Sequence, residues 1–246
     1  MEELELFRKR VSSYIDKAFQ GGVSLTMFLD EVKLEIIKRE VEKAKSINLY
    51  TFGGILYSDR ARAIVSPYSV ENKDFKIAVF EIIYNMKYYT IGHRNILGSI
   101  LSLGIKRECI GDIVVLESKK AYFACCEEIS DFLLSELHFI GKANISLKKV
   151  TEPIENVIRY EESTVFVSSF RLDVILAGAY RLSRSEALAM ITEGLVSVNH
   201  VLVLNPSHTI VLNDEISVRH KGRVRLSYIG KESRSGRTAV TLGKRV

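Results

Sequence analysis

Three arginines and two serines fall within one short stretch of this chain: Arg171, Arg181, Ser183, Arg184 and Ser185. Guanidinium forks, hydroxyls and the first amides of a helix are the groups that hold a phosphate. The stretch FRLDVILAGAYRLSRSEALAMITEGLVSVNH supplies helices to carry them. Leu172, Ile175, Leu176 and Ala179 are spaced as the inward face of one helix, and Ala179 to Leu182 is expected to turn the chain. Ser183 then opens a second helix. With Glu186 it makes the S-x-x-E capping box, in which each side chain satisfies a first-turn amide. Ala187, Leu188 and Ile191 continue the apolar face, and Gly194 stands where a left-handed C-cap residue belongs. Arg181 and Arg184 flank the start of that second helix, and Arg171 starts the first.

Charge points the same way. The 246 residues carry a net charge of +5 from 35 basic and 30 acidic side chains. From Val167 onward there are 12 basic and 6 acidic residues, while residues 1–166 hold 23 and 24, so the whole excess lies in the last third. Past Val218 nine basic residues face one acid, Glu232. A one-sided basic block is the footprint of a polyanion partner. Lys221, Arg223 and Arg225 are its candidate contacts beside the helix pair.

Strands are expected to follow the helices. LVSVNHVLVLN alternates as a hairpin, with Val196 and Val198 on one face and Asn199-His200 at the turn. Asn205-Pro206 and Asn213-Asp214 are further turns, and GRVRLSYI reads as strand.

The rest of the chain divides by pattern. Residues 1–72 read as a helical unit with one or two strands. Leu4, Phe7, Val11, Tyr14, Ile15 and Ala18 share a helix face that Gly21-Gly22 ends. A second helix places Leu29, Val32 and Ile36 inward, widened by Ile37, Val41 and Ala44. Residues 73–152 read β-α-β-β-α-β: FKIAVFEII, HRNILGSILSLG, IGDIVVLE, AYFACC, a helix EEISDFLLSELHFIG ending at Gly141, and NISLKKV. That order is ferredoxin-like and shared with RNA-recognition modules, whose aromatic signature is absent; Tyr122 and Phe123 are adjacent and leave a strand on opposite faces. Residues 151–162, with Pro153, read as a linker, and residues 165–246 as the last domain. The fold class is therefore α+β.

At this length the match becomes specific. Arg171, Leu172, Asp173, Leu176, Ser183, Arg184, Ile191, Gly194, Val196, Val198, Asn199, Asp214 and Ile216 follow the pattern of the S-four domain, the RNA-binding domain of a ribosomal small-subunit protein. Asn213 departs from the usual Gly, but Asn also tolerates positive φ. The segment IGHRNILGSILSLGIKRECIGDI resembles the hallmark of the YlmH-like family of bacterial S-four proteins, with Asn95 where Asp is common. The resemblance covers about residues 75–246; the first 70 match in outline, through the basic stretch after Gly53-Gly54. It implies binding of structured RNA on the ribosome, rRNA and tRNA, at large subunits in rescue and quality control. Candidate contacts are Arg171, Arg181, Ser183, Arg184, Ser185, Asn199, Lys221, Arg223 and Arg225. His93, Arg94, Lys106 and Arg107 form a candidate secondary set.

Other chemistry finds less support. R-L-D also occurs in pseudouridine synthases after a Gly, but Phe170 stands there, and Asp173 is expected to pair with an arginine. No nucleotide-binding glycine loop is present. Cys109, Cys125 and Cys126 lack zinc or disulfide spacing, Cys125-Cys126 read as strand packing, and the histidines show no ligand pairing. No cofactor, metal, membrane or small-molecule substrate is expected, and the setting is expected to be cytoplasmic. The alternatives to non-catalytic RNA binding are an RNA-modifying enzyme targeted by the S-four domain and a cell-division-linked adaptor.

Overall fold

The computed structural model describes the chain apart from Met1, the side chain of Glu2, residues 157–159, His200, His220, Arg234, Ser235 and Val246. It divides into two compact units, Met1–Val157 and Ile158–Val246.

In the first unit, α1 (Glu2–Phe19) buries Phe7, Val11 and Ala18, the centre of its expected apolar stripe. β1 (Ser24–Leu25) leads to α2 (Glu31–Glu42), which starts at Asp30, whose carboxylate accepts the amide of Lys33 at 2.9 Å. Ile37 and Val41 are its buried centre, whereas Val32, expected inward, is exposed. β2 (Asn48–Phe52) and β3 (Arg62–Ser66) pair antiparallel, and β1 joins β3 on the other side.

The second half of this unit is the ferredoxin-like sheet. β4 (Ile77–Tyr84), β5 (Ile110–Val115), β6 (Ala121–Cys126), β7 (Phe139–Ile140) and β8 (Ala143–Val150) lie in the order β5-β6-β4-β8-β7. α3 (His93–Ser102) and α4 (Ser130–Glu136) are its helices. α4 is shorter than its sequence pattern, because a 3₁₀ turn over Glu127–Ile129 precedes it and Phe139–Ile140 leave it to pair with β8. Phe80, Phe123, Cys125, Ile96, Ile100 and Leu133 form one core against the sheet. Phe28 and Ile55, from the first 72 residues, pack with Val79, Val114, Ala124 and Cys126 in another. The cores of this sheet thus draw alternate residues of β4 and β6 to both faces, while Ile83, Asn144, Ser146 and Lys148 remain exposed. A Cβ on Gly111 would sit 2.6 Å from the Phe28 ring, so only glycine lets the loop and strand approach this closely.

Polar side chains tie the same halves together. Asp112 accepts the amides of Asp59 at 2.7 Å and Arg60 at 3.0 Å. Arg62, 3% exposed, donates to the carbonyls of Thr26 at 2.7 Å and Lys76 at 2.9 Å. Part of the expected linker belongs here too: Leu56 exchanges backbone hydrogen bonds with Ile154 and Asn156.

In the second unit a six-stranded antiparallel sheet backs two helices. β9 is Tyr160–Val167, so the last residues of the expected linker are strand. α5 (Leu172–Tyr180) runs into the expected turn and stops where Arg181 adopts φ 53°. α6 (Arg184–Thr192) follows, then β10 (Val196–Val198), β11 (Val201–Leu202), β12 (Glu215–Val218), β13 (Gly222–Glu232) and β14 (Thr238–Arg245), ordered β11-β10-β12-β13-β14-β9. Leu172, Ile175, Leu176, Ala187 and Ile191 pack on Val196, Ile216, Val224, Leu226, Val240 and Leu242. Ala179 is half-buried and packs against this core; Leu188, expected inward, is exposed, because α6 meets the core through Ala187, Met190 and Ile191. Gly194 takes φ 73°, Asn199 47° and Asn213 71°, the left-handed residues of a helix end and two turns. His200 lies outside the described residues.

Candidate nucleic-acid interface

The corner forms where α5 ends and α6 begins. Ser183 caps α6: its Oγ accepts the Glu186 amide at 3.2 Å, and the Ser183 amide donates to Glu186 Oε2 at 2.7 Å. Ser185 Oγ lies 3.0 Å from Ser183 Oγ. The amides of Arg184 and Ser185 stand in the first turn, where an α-helix supplies no internal acceptor. The capping box brings an acid to this corner, however. Hydrogen bonds from Ser183 hold the Glu186 carboxyl below its ordinary value, and Lys221 lowers it further. The site is thus less positive than a count of arginines suggests.

Asp173 organises two of the three arginines. Its carboxylate, 3% exposed, takes Arg171 Nε and Nη2 at 3.1 Å each and Arg184 Nη2 at 2.7 Å. Burial pushes this carboxyl up, but the hydrogen bonds and charges of Arg171 and Arg184 outweigh it and hold it below the usual range. The expected pairing is therefore present and takes two arginines. Arg184 has a part in the fold that its surface position conceals.

Arg181 stands apart from this clamp. It lines a groove of about 560 Å³ with Tyr180, Ser163, Lys221, Lys244, Glu161 and Glu162. Tyr180 donates to the Gly222 carbonyl at 3.0 Å, and burial pushes its hydroxyl up to about 12. Lys244 Nζ lies 5.9 Å from the Tyr180 ring centre. Lys244 was not singled out by sequence; only its place in the basic block pointed to it.

Three expected contacts are engaged elsewhere. Arg223 and Arg225 alternate along β13 with Val224 and Leu226 of the core, so they leave the strand on its other side. Arg223 Nη1 is 3.6 Å from Glu215 Oε1, and the Arg225 guanidinium stacks 4.2 Å from the Tyr160 ring. Asn199 donates to Asp214 Oδ1 at 2.7 Å and accepts the Glu215 amide at 3.0 Å. Its amide fastens the hairpin to the turn at Asn213-Asp214.

The secondary set lies in the first unit. His93 opens α3, where the Asn95 side chain accepts the Gly92 amide at 3.2 Å. Loss of solvent and then the charge of Arg107 lower the His93 imidazole. Arg94 and Lys106 are exposed, and Arg107 turns inward to the Ile110 and Gly111 carbonyls. Sequence reading missed Arg60, which joins Arg107 there; the basic run after Gly53-Gly54 was its signal. Cys125 and Cys126 are buried, and burial pushes both thiols up, Cys126 to about 12, as packing residues would be.

Residues 70–153 match the family described as a putative RNA-binding domain in YlmH, and residues 170–216 match the S4 domain. The class is thus an RNA-binding protein built on an S4 domain. Ribosome-associated protein quality control protein P2 of Bacillus subtilis (strain 168) is 32% identical over 247 residues, covering 96% of this chain and 95% of that protein. The structure of cell division protein ylmH from Streptococcus pneumoniae superposes with a TM-score of 0.51 at 25% identity, over 61% of this chain and 92% of that one. The chain belongs to the YlmH family.

Proposed function

We propose that this protein is a non-catalytic, cytoplasmic RNA-binding factor that joins the ribosomal large subunit and its tRNA during quality control of translation. The observation that carries the reading is the S4 corner. The N-terminus of α6 is flanked in sequence by Arg181, which lines the groove with Lys221 and Lys244, and by Arg184, which Asp173 anchors. Such groups hold phosphates, because amides, hydroxyls and cations all favour an anion. The quality-control name of the Bacillus relative supports the ribosomal setting. Asp173 is ill suited to catalysis, since two arginines occupy its carboxylate. On this reading Arg181, Ser183, Arg184, Ser185 and Lys221 touch RNA directly. Arg171 acts through Asp173. Arg223, Arg225 and Asn199 support the sheet, and His93, Arg94, Lys106 and Arg107 make a second contact.

Sedimentation of lysate through a sucrose gradient tests this. The wild-type protein should travel with the large subunit, and the Arg181→Ala/Lys221→Ala protein should stay at the top. Arg184→Ala also releases a buried partner, so it serves only beside a stability measurement. If the double variant still travelled with large subunits, the corner would not be the ribosomal contact. A cell-division adaptor is the second reading, favoured by the name of the pneumococcal structure. Partner binding that ignores salt would select it, because phosphate contacts weaken with salt.

A further inference from the structure

The first unit contains a cavity of about 430 Å³, bounded by α1, the Leu25–Asp30 segment, Arg60 and Lys106–Glu108. Five basic side chains line it, Arg10, Lys33, Arg60, Lys106 and Arg107, against the three acids Glu3, Asp30 and Glu108. Glu3 is already taken by Lys33 at 2.7 Å. Phe7, Tyr14, Met27 and Phe28 give the cavity an apolar wall.

Arg60 and Arg107 set this cavity apart. Both reach the same carbonyl: Arg60 Nε lies 3.2 Å and Arg107 Nη1 2.5 Å from the Ile110 oxygen. Sharing one acceptor brings two guanidinium groups side by side. Their remaining bonds also go to carbonyls, Phe28 for Arg60 at 3.0 Å and Gly111 for Arg107 at 3.4 Å. The charges of Asp30 and Asp112 act on both guanidinium groups and offset part of theirs. Two adjacent cations in a half-buried place repel. Burial first, and then the charge of Arg60, lower the Arg107 guanidinium to about 10. Part of the pair's role is structural, because β5 and β6 lose register between Ile110 and Ile113, where the arginines meet the Ile110 and Gly111 carbonyls. Capping carbonyls needs donors, but it does not need two neighbouring charges in a cavity rimmed by further cations.

We propose that this cavity is a separate phosphate site that takes one phosphorylated nucleotide. Its phosphate would lie against Arg60, Arg107 and Lys106, and its base against the Phe7–Tyr14 wall. Paired forks suit a phosphate better than a single carboxylate. The volume falls within the range of small-ligand pockets, about 300–1,000 Å³. The nucleotide could be free or carried in RNA. The inference rests on the first unit alone, so it and the S4 corner can fail separately.

Calorimetry and thermal melting of the full chain test it, with adenosine monophosphate and inorganic phosphate as probes at constant ionic strength. Both probes should raise the melting temperature of the wild type. Arg107→Met should lose at least about tenfold in affinity for the monophosphate, a difference of ~1.4 kcal/mol. The exposed Lys106→Gln should lose a few-fold. If Arg107→Met fails to fold, Lys106→Gln with Arg10→Gln carries the test, because both residues lie on the surface. A wild type indifferent to both probes would overturn the proposal. So would a folded Arg107→Met, or a Lys106→Gln/Arg10→Gln protein, with unchanged affinity. A short RNA bearing a 5′-phosphate separates the two sources. Tighter binding than the monophosphate means the nucleotide arrives in RNA, and equal binding means a free nucleotide.

Discussion

Arginines converge at two places in this molecule, and on different acceptors. In the second unit Arg171 and Arg184 meet the buried carboxylate of Asp173. In the first, Arg60 and Arg107 meet the neutral carbonyl of Ile110. At Asp173 one carboxylate offsets one of the two guanidinium charges before any ligand arrives, so the clamp fixes geometry and lends a reduced field. At Ile110 the carbonyl satisfies hydrogen bonds but cancels no charge, and the offset comes from the charges of Asp30 and Asp112 instead. Counting arginines in a sequence treats the two as equal; the acceptor decides what each can attract.

The comparison is broken most forcefully at the fixed points. Asp112→Ala leaves the amides of Asp59 and Arg60 without their carboxylate and lets the Arg60 loop drift. It should cost the first unit about 2–3 kcal/mol in urea unfolding, with the second unit unchanged. Asp173→Asn should cost the second unit roughly 1–2 kcal/mol at neutral pH, less than a fully buried pair because both arginines reach solvent. The folded Asp173 carboxyl lies below its unfolded value of about 3.9, so its contribution is present above that pH and fades as pH falls through the folded value. Denaturation of wild type and Asp173→Asn should therefore begin to converge as pH falls below about 4. A gap that stays constant there would assign the loss to packing.

Two further changes sharpen the contrast without touching stability much. Arg181→Ala should leave unfolding unchanged and weaken RNA binding, flattening the salt dependence by roughly 0.7–0.9 on a log-log plot, one phosphate contact. Glu186→Gln has the smallest expected effect and the opposite sign. It removes the acid from the corner while keeping an amide able to cap, so RNA affinity should rise slightly at low salt. A fall would mean that the carboxylate orders the corner rather than opposing the ligand.

Much of the second unit was legible because its signals are local. Ser183 and Glu186 lie three residues apart and make the predicted box, and Gly194 and Asn213 take the positive φ their types allow. The ferredoxin-like order was legible for the same reason, strand by strand. What escaped was long-range. Arg60 meets Ile110, Asp112 meets Asp59, and Phe28 covers a sheet more than 40 residues away in sequence; no spacing rule announces such partners. The site was half legible: the sequence placed Arg181, Ser183 and Arg184 at the start of one helix, where the structure has them. That Arg171 and Arg184 share a carboxylate while Arg181 lies in a different groove depends on side-chain directions that a helix pattern does not give.

β9 and β14 pair along their whole length, from Val167 against Thr238 to Tyr160 against Arg245. The opening strand of the second unit thus waits for its partner until nearly the whole unit has been synthesised. Until residues 238–245 can pair, β9 and β13 both lack the strand that lies between them, and each presents an unpaired edge. The groove is incomplete for the same interval, because Lys244 arrives with β14. Unpaired edges are templates for another strand, so this interval exposes the chain to strand-swapping with a second copy.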